Sequence, residues 1–580
     1  MNLFLILLSL LLFDGYATTT NNTALFITIP FIGHVNPLIA QALELRSRGW
    51  NVYILSCSDI KNYVEEKNIE FIDIGHCAMV EKVEYLQQKI MDIKAFSNDF
   101  DLVIKWALND YSSMYKASIK VLKEKQLNVT VAITDMGTLA GTDICYTLNI
   151  SCIINNADIL PFLDGSVNLN LEDFKSVIVI FSAIFFRTFF KPFISLIFRL
   201  FLYLRYDSHW NKLRKENGLT NPTGLFRRTF DHIVLCNVAN GLERPRSLPP
   251  NFQLTGPMLN MKLSKDVYIN SLSEEDRNWI ELDNETSMIY VSAGTVASLT
   301  KEQVEKLLQS FSTVKYRVIW KLSKKDAQHL VGKTIPKSIR IVNWISSALG
   351  HLAHPNIKLF VSHCGINSVY ESLWLGTPII CLPMFGDQYS MANQVRAAGV
   401  GEVLNKFKFT SNELSMKIDE VLTNQTMIKN IQRLQVSMKL HGGVHRAANI
   451  IEGVAQSGPE NFLSKTMFLP WYRQYHFDTY LLCWEIKMNN IKMMVIIMMT
   501  ALFFAGQTDG GPTTYVACMG SCYRILFGCI TAGRAATAAS GGATTAVSGG
   551  TTCPVVEAGC TATNAACQAA CLMFLSTPTF

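Results

Sequence analysis

The chain has 580 residues, long enough for two core-forming domains and further segments, and it carries 15 cysteines. A net charge of +6 over that length is mild and includes no long Lys/Arg block, so the composition gives no support for nucleic-acid binding. The opening MNLFLILLSLLLFDGYA has an apolar run from Leu3 to Phe13 and small residues near Ala17. It reads as a secretory signal peptide over residues 1–17, though its start lacks a positive charge, and the run is too short to span a bilayer. Sequons at Asn21, Asn128, Asn149, Asn284 and Asn424 fit a lumenal or extracellular chain, and each also fits a chance match.

Ala24–Pro30 (ALFITIP) reads as a strand from its apolar, β-branched content. Phe31–His34 then forms a loop, Asn36 and Pro37 read as N-cap and first helical residue, and Gly49 ends the helix. Asn51–Ser56 is the next strand, which completes a right-handed βαβ unit. His34 thus falls at a strand's carboxyl end, before a helix start, where open α/β sheets bind ligands. The helix dipole there should keep the imidazole neutral and able to take a proton from an alcohol. Val129–Thr134 is a later strand followed by Asp135, which either orients a histidine or caps the next helix; Asp143, inside that helix, is the weaker candidate. Ser176–Arg205 is dense in Phe, Leu and Ile but interrupted by Arg187, Lys191, Pro192 and Arg199. Two readings stand: helices lying in a membrane interface, or buried helices whose cations snorkel to the surface. Arg244–Pro257 is Pro-rich and reads as a linker.

The second half holds one dense run, Trp344–Gln388. Ile357–Ser362 is a buried strand, His363-Cys364-Gly365 a turn, and Asn367-Ser368 opens a helix running to Leu375, stopped by Gly376 and Pro378. A short strand, Ile379–Pro383, precedes Asp387-Gln388. Backbone N–H groups at a helix start suit a diphosphate. The plainer alternative is that Ser368 and Glu371 form a capping box.

Taken whole, this run resembles the nucleotide-binding signature of the UDP-glycosyltransferase family. The resemblance implies an α/β protein of GT-B type, two Rossmann-like doubly wound domains facing a cleft. Acceptor would bind in residues 18–250 and UDP-sugar in 258–455. It implies that Trp344 stacks on uracil, His363 meets the diphosphate, and Asn367 and Ser368 add phosphate hydrogen bonds. Glu371 would hold the ribose, Asp387 and Gln388 the transferred sugar, and Thr295, in Val291–Thr295, would lie beside the phosphates. His34 matches the family's general base and Asp135 its partner. There are two departures: Ser347 stands where the family usually has Gln, and the stretch from Trp344 to His363 is one residue longer. The implied activity is inverting transfer of a hexose, glucose favoured, to a hydroxyl of a lipophilic sterol, lipid or phenol. No metal or other cofactor is expected. A non-catalytic nucleotide-sugar or lipid binder on the same fold is the competing expectation.

Residues 456–484, with Trp471-Tyr472 and Tyr475-His476, resemble the family segment that packs back toward the first domain and leads to a membrane anchor. Glu485 and Lys487 break that pattern. The apolar run Met493–Ala505, within 488–506, has the shape of a second signal peptide or of an imperfect anchor over 479–505. Residues 507–580 are rich in Gly, Ala and Thr. Their cysteines, Cys518, Cys522, Cys529, Cys553, Cys560, Cys567 and Cys571, fall at intervals of four and seven. That spacing predicts a disulfide-stapled helical tail. A second signal-like segment where the family has its anchor suggests that residues from about 488 onward are joined from a neighbouring secreted protein. The expected location is the secretory pathway: the endoplasmic reticulum lumen or its membrane, or secretion. Membrane association would run through 176–205 or 479–505.

Overall fold

The structure is a computed structural model that describes residues 22–81, 96–157, 206–225, 227–243, 248–282 and 287–463. The signal peptide, the 176–205 stretch and all expectations beyond residue 463 lie outside the described residues. Residues 1–468 form one unit; 469–580 form another, none of which is described.

In the first lobe, β1 (Thr23–Ile27) is buried throughout and pairs in parallel with β2 (Asn51–Ser56) and β4 (Val131–Asp135). With β3 (Glu70–Asp73), β5 (Ser151–Asn156), β6 (Ile233–Cys236) and β7 (Phe252–Leu254) it makes a parallel sheet of order β3-β2-β1-β4-β5-β6-β7. The order reverses between β1 and β4, and a ligand crevice opens at the carboxyl ends of strands at such a switch point. His34 follows one of these strands and Asp135 ends the other. Phe252–Leu254 falls inside the expected linker but is the edge strand of this sheet, so the first lobe extends past residue 250.

The helix after β1, α1 (Ile32–Ser47), begins four residues before the expected N-cap Asn36, with Phe31 as N-cap. Pro37 therefore lies inside the helix, and His34 in its first turn rather than in a loop. The Asn-Pro pair is a sound start signal, but buried Val35 and Leu38 extend the apolar face backward and hold the earlier turn helical.

In the second lobe, β8 (Met288–Ser292), β9 (Arg317–Lys321), β10 (Ile339–Val342), β11 (Ile357–Ser362), β12 (Ile379–Cys381) and β13 (Gly401–Val403) form a parallel sheet of order β10-β9-β8-β11-β12-β13. Its switch point lies between β8 and β11, so this crevice also opens at named motif residues: Gly294 after β8 and His363 after β11. Two helices matter here, α2 (Ile366–Trp374) and α3 (Asp387–Ala397). Tyr290 and Phe360 stack at 4.7 Å beneath the His363 turn.

The last described helix, α4 (Val444–Ser457), lies within the expected second domain but joins the first lobe's core. Its Ala447, Ala448, Ile451 and Val454 share a cluster with Val35, Leu38 and Ala42. Burying Ile451 and Val454 contributes about 1.5–3 kcal/mol each. Arg48 meets Glu452 at 2.6 Å, and the Trp50 indole donates to the same carboxylate at 3.2 Å.

Candidate active site

His34 Nδ1 lies 3.0 and 3.1 Å from the two carboxylate oxygens of Asp135. The imidazole is 44% exposed and Asp135 is buried, so the ring's other nitrogen is left for a ligand. Desolvation lowers the His34 pKa, but the charge and hydrogen bond of Asp135, with a smaller effect from Asp387, leave it above the ordinary 6.5. The helix dipole was expected to keep the ring neutral; the carboxylate partner outweighs it. A more basic ring is the stronger proton acceptor once deprotonated. Asp143, the weaker candidate partner, is committed elsewhere: it accepts from Arg214 Nε at 3.0 Å and from the Tyr111 hydroxyl at 2.7 Å.

Two residues hold Asp135 in place, and neither stands out in the sequence. Gly137 leaves room for the pair, because a Cβ there would sit 2.9 Å from Asp135 Oδ2 and 3.2 Å from His34 Cε1. Buried Arg228 donates to the carbonyls of Met136, Thr138 and Leu139, clamping the turn after β4. Burial lowers its pKa to about 10, with Asp143 and Asp135 opposing that shift. An Arg-Arg pair in a short turn carries no positional signal, so only the fold exposes this clamp.

Across the cleft, the His363 ring packs against two glycines, one in the turn after β8 and one in the turn after β11. A Cβ on Gly294 would lie 2.7 Å from His363 Nε2, and one on Gly365 2.6 Å from it. Gly294 also has φ +83, which favours glycine. Burial, and then Lys321, push the His363 pKa down to about 4, so the ring is neutral at physiological pH. Cys364 between them takes φ +61 and is bridged to Cys381 at the end of β12. This disulfide staples the turn to its neighbouring strand.

The capping-box alternative is not what forms. Gly365 is the N-cap of α2 and no side chain caps it, so the N–H groups of Ile366, Asn367 and Ser368 are free of side-chain caps. Asn367 Nδ2 instead donates across the cleft to the Gly33 carbonyl at 2.7 Å. The Glu371 carboxyl is left for a ligand, and burial pushes it up to about 7. Asp387 opens α3, and desolvation raises its pKa against the opposing influence of its own backbone N–H and of His34. Gln388 is buried, and its Oε1 accepts from the N–H groups of Met384 and Phe385, so its oxygen supports the loop.

Trp344 is 59% exposed, with the Lys321 ammonium 4.4 Å from its ring centroid. Lys321 ends β9 and its pKa is lowered by burial. It is a cation beside both Trp344 and His363 that sequence reasoning missed; the signal available was a Lys at a strand's carboxyl end. Thr295 is exposed in the turn after β8. Ser347, at the position usually held by Gln, is the N-cap of helix Ala348–Ala353, accepting from Gly350 N at 3.0 Å.

Two Rossmann-like lobes with histidines at facing switch points give the chain a GT-B architecture. The glycosyltransferase of kitacinnamycin has this fold, with TM-score 0.57 and 16% identity over 76% of this chain and 99% of that one. The family model for UDP-glucoronosyl and UDP-glucosyl transferase matches residues 179–504, and the chain belongs to that family. The match ends short of the Cys-rich residues 507–580. UDP-glucuronosyltransferase 2A3 of Pongo abelii is 26% identical over 47% of this chain and 50% of its own length. The 2-hydroxyacylsphingosine 1-beta-galactosyltransferase of Homo sapiens is 30% identical over 35% of each chain. The chain thus spans half or less of the length of these curated relatives.

Proposed function

We propose that this protein is an inverting glycosyltransferase that moves a hexose from a UDP-sugar to a hydroxyl of a lipophilic small molecule. The observation that carries the reading is the His34–Asp135 pair standing opposite the glycine-clamped His363 turn. His34 takes the proton of the acceptor hydroxyl, and Asp135 stabilises the imidazolium that forms. The alkoxide-like oxygen attacks the anomeric carbon from the face opposite UDP, so the configuration inverts. Neutral His363, the free N–H groups of α2 and Lys321 receive the charge growing on the diphosphate. Trp344 offers a face for uracil, Glu371 a carboxylate for the ribose, and Asp387 with the Gln388 amide group partners for the sugar hydroxyls; Asn367, Ser368 and Thr295 line the phosphates. No metal or cofactor enters this scheme.

Glucose is favoured over a uronate because Arg396 is engaged at the far end of α3, donating to the Val403 carbonyl. Phe31 and Trp106 pack at 5.3 Å beside His34, with Met79 in the same cluster, and this apolar wall supports a lipophilic acceptor. The sphingosine-based name of one relative agrees with that class. Three disulfides among the described residues support an oxidising, secretory location. No helix among the described residues is long and apolar enough to cross a membrane. The test is to incubate the full chain with several UDP-sugars and a panel of phenols, sterols and fatty alcohols, and to weigh the products. A hexose adduct from UDP-glucose is expected; UDP binding without any adduct would refute the reading.

A further inference from the structure

Pro37 sits in the second turn of α1 and has no N–H to donate. In an unbroken helix that N–H would bond the carbonyl four residues earlier, which is Gly33's. The carbonyl next to His34 is therefore left open on the helix side, at the cleft. Asn367, in the first turn of α2 on the facing lobe, fills it with its side-chain amide at 2.7 Å. We propose that Asn367 is a positioning residue that latches the turn carrying His34 to the nucleotide lobe, through the one carbonyl that Pro37 leaves unpaired. This rests on the reading of His34 as the base, and it gives Asn367 a role in the ligand-free protein distinct from any phosphate contact.

The latch has a consequence at His34 itself. The charged groups facing the imidazole are Asp135, from its own lobe, and Asp387, from the other; Arg228 faces Asp135 from behind. Asp387 favours imidazolium only while the lobes are held together. Releasing the latch withdraws Asp387 and leaves Asp135 in place. A phosphate-binding residue with no latch function would not change His34 in the absence of ligand.

The experiment uses the full chain with 13C-labelled histidine, and His34→Gln identifies the His34 signal. In ligand-free Asn367→Ala, the His34 titration midpoint falls below that of the wild type. Pro37→Ala, which hands the Gly33 carbonyl a competing helical donor from outside the nucleotide lobe, shifts it in the same direction by less. With UDP-glucose saturating and 4-methylumbelliferone as acceptor probe, kcat of Asn367→Ala falls by up to about 100-fold, the scale of a roughly 1 Å misplacement. A His34 midpoint unchanged in both variants would overturn the latch. Turnover insensitive to His34→Gln would instead overturn the base assignment and leave the latch standing.

Discussion

Gly365→Ala tests the placement of His363 without disturbing the backbone. Gly365 has φ −59 and ψ 143, which alanine adopts freely, so the substitution carries no conformational cost there. Its Cβ would lie 2.6 Å from His363 Nε2, and the ring must retreat by about 0.8 Å to reach ordinary contact at 3.4 Å. The ring is also confined by Gly294, which approaches the same nitrogen. It must rotate out of its slot, losing its hydrogen bond to a charged phosphate. Such bonds contribute about 1.5–3 kcal/mol, so UDP should bind about 10- to 150-fold more weakly. Calorimetry with UDP on wild type and variant reads this directly, and a melting curve checks that the variant is folded. A folded Gly365→Ala that binds UDP as the wild type does would refute the claim that the glycines hold His363 for the diphosphate.

Other expectations concern the same lobe. Glu371, at about 7 when unoccupied, is favoured in its ionised form by ribose hydroxyls, so its pKa drops on binding. UDP binding should therefore release protons near pH 7 and weaken as the pH falls below that value; Glu371→Gln should flatten the dependence, as read by calorimetry in buffers of different ionisation enthalpy. Lys321→Met should weaken UDP binding by about 10-fold or more while leaving uridine binding far less affected, since the ammonium acts on the phosphates. Cys381→Ala opens a bridge between residues 17 apart. It should lower the unfolding free energy by about 3 kcal/mol, measured by chemical denaturation, and loosen UDP binding with it.

Much of this was legible in the residues. Asn51–Ser56 and Ile357–Ser362 are strands with the expected ends, because each is a short β-branched run bounded by turn formers. His34 and Asp135 could be paired only through the family resemblance, since a separation of 101 residues has no local signal. Three features stayed hidden for a common reason: they depend on strand order. The Arg228 clamp, the Cys364–Cys381 staple and the Lys321 cation all join segments that adjoin only once the parallel sheets are built. The start of α1 was misplaced because Pro37 resembles a first helical residue, whereas packing on the core keeps the preceding turn helical. The strand Phe252–Leu254 was masked by its prolines, which are tolerated just before an edge strand.

The central claim is that the imidazole of His34 receives the acceptor's proton while UDP departs from the opposite lobe. The most direct measurement is the single-turnover rate of His34→Gln in the full chain with UDP-glucose bound, alongside its UDP affinity. The account predicts wild-type affinity with glycosyl transfer slowed by about 100- to 10,000-fold. Transfer at the wild-type rate would contradict it.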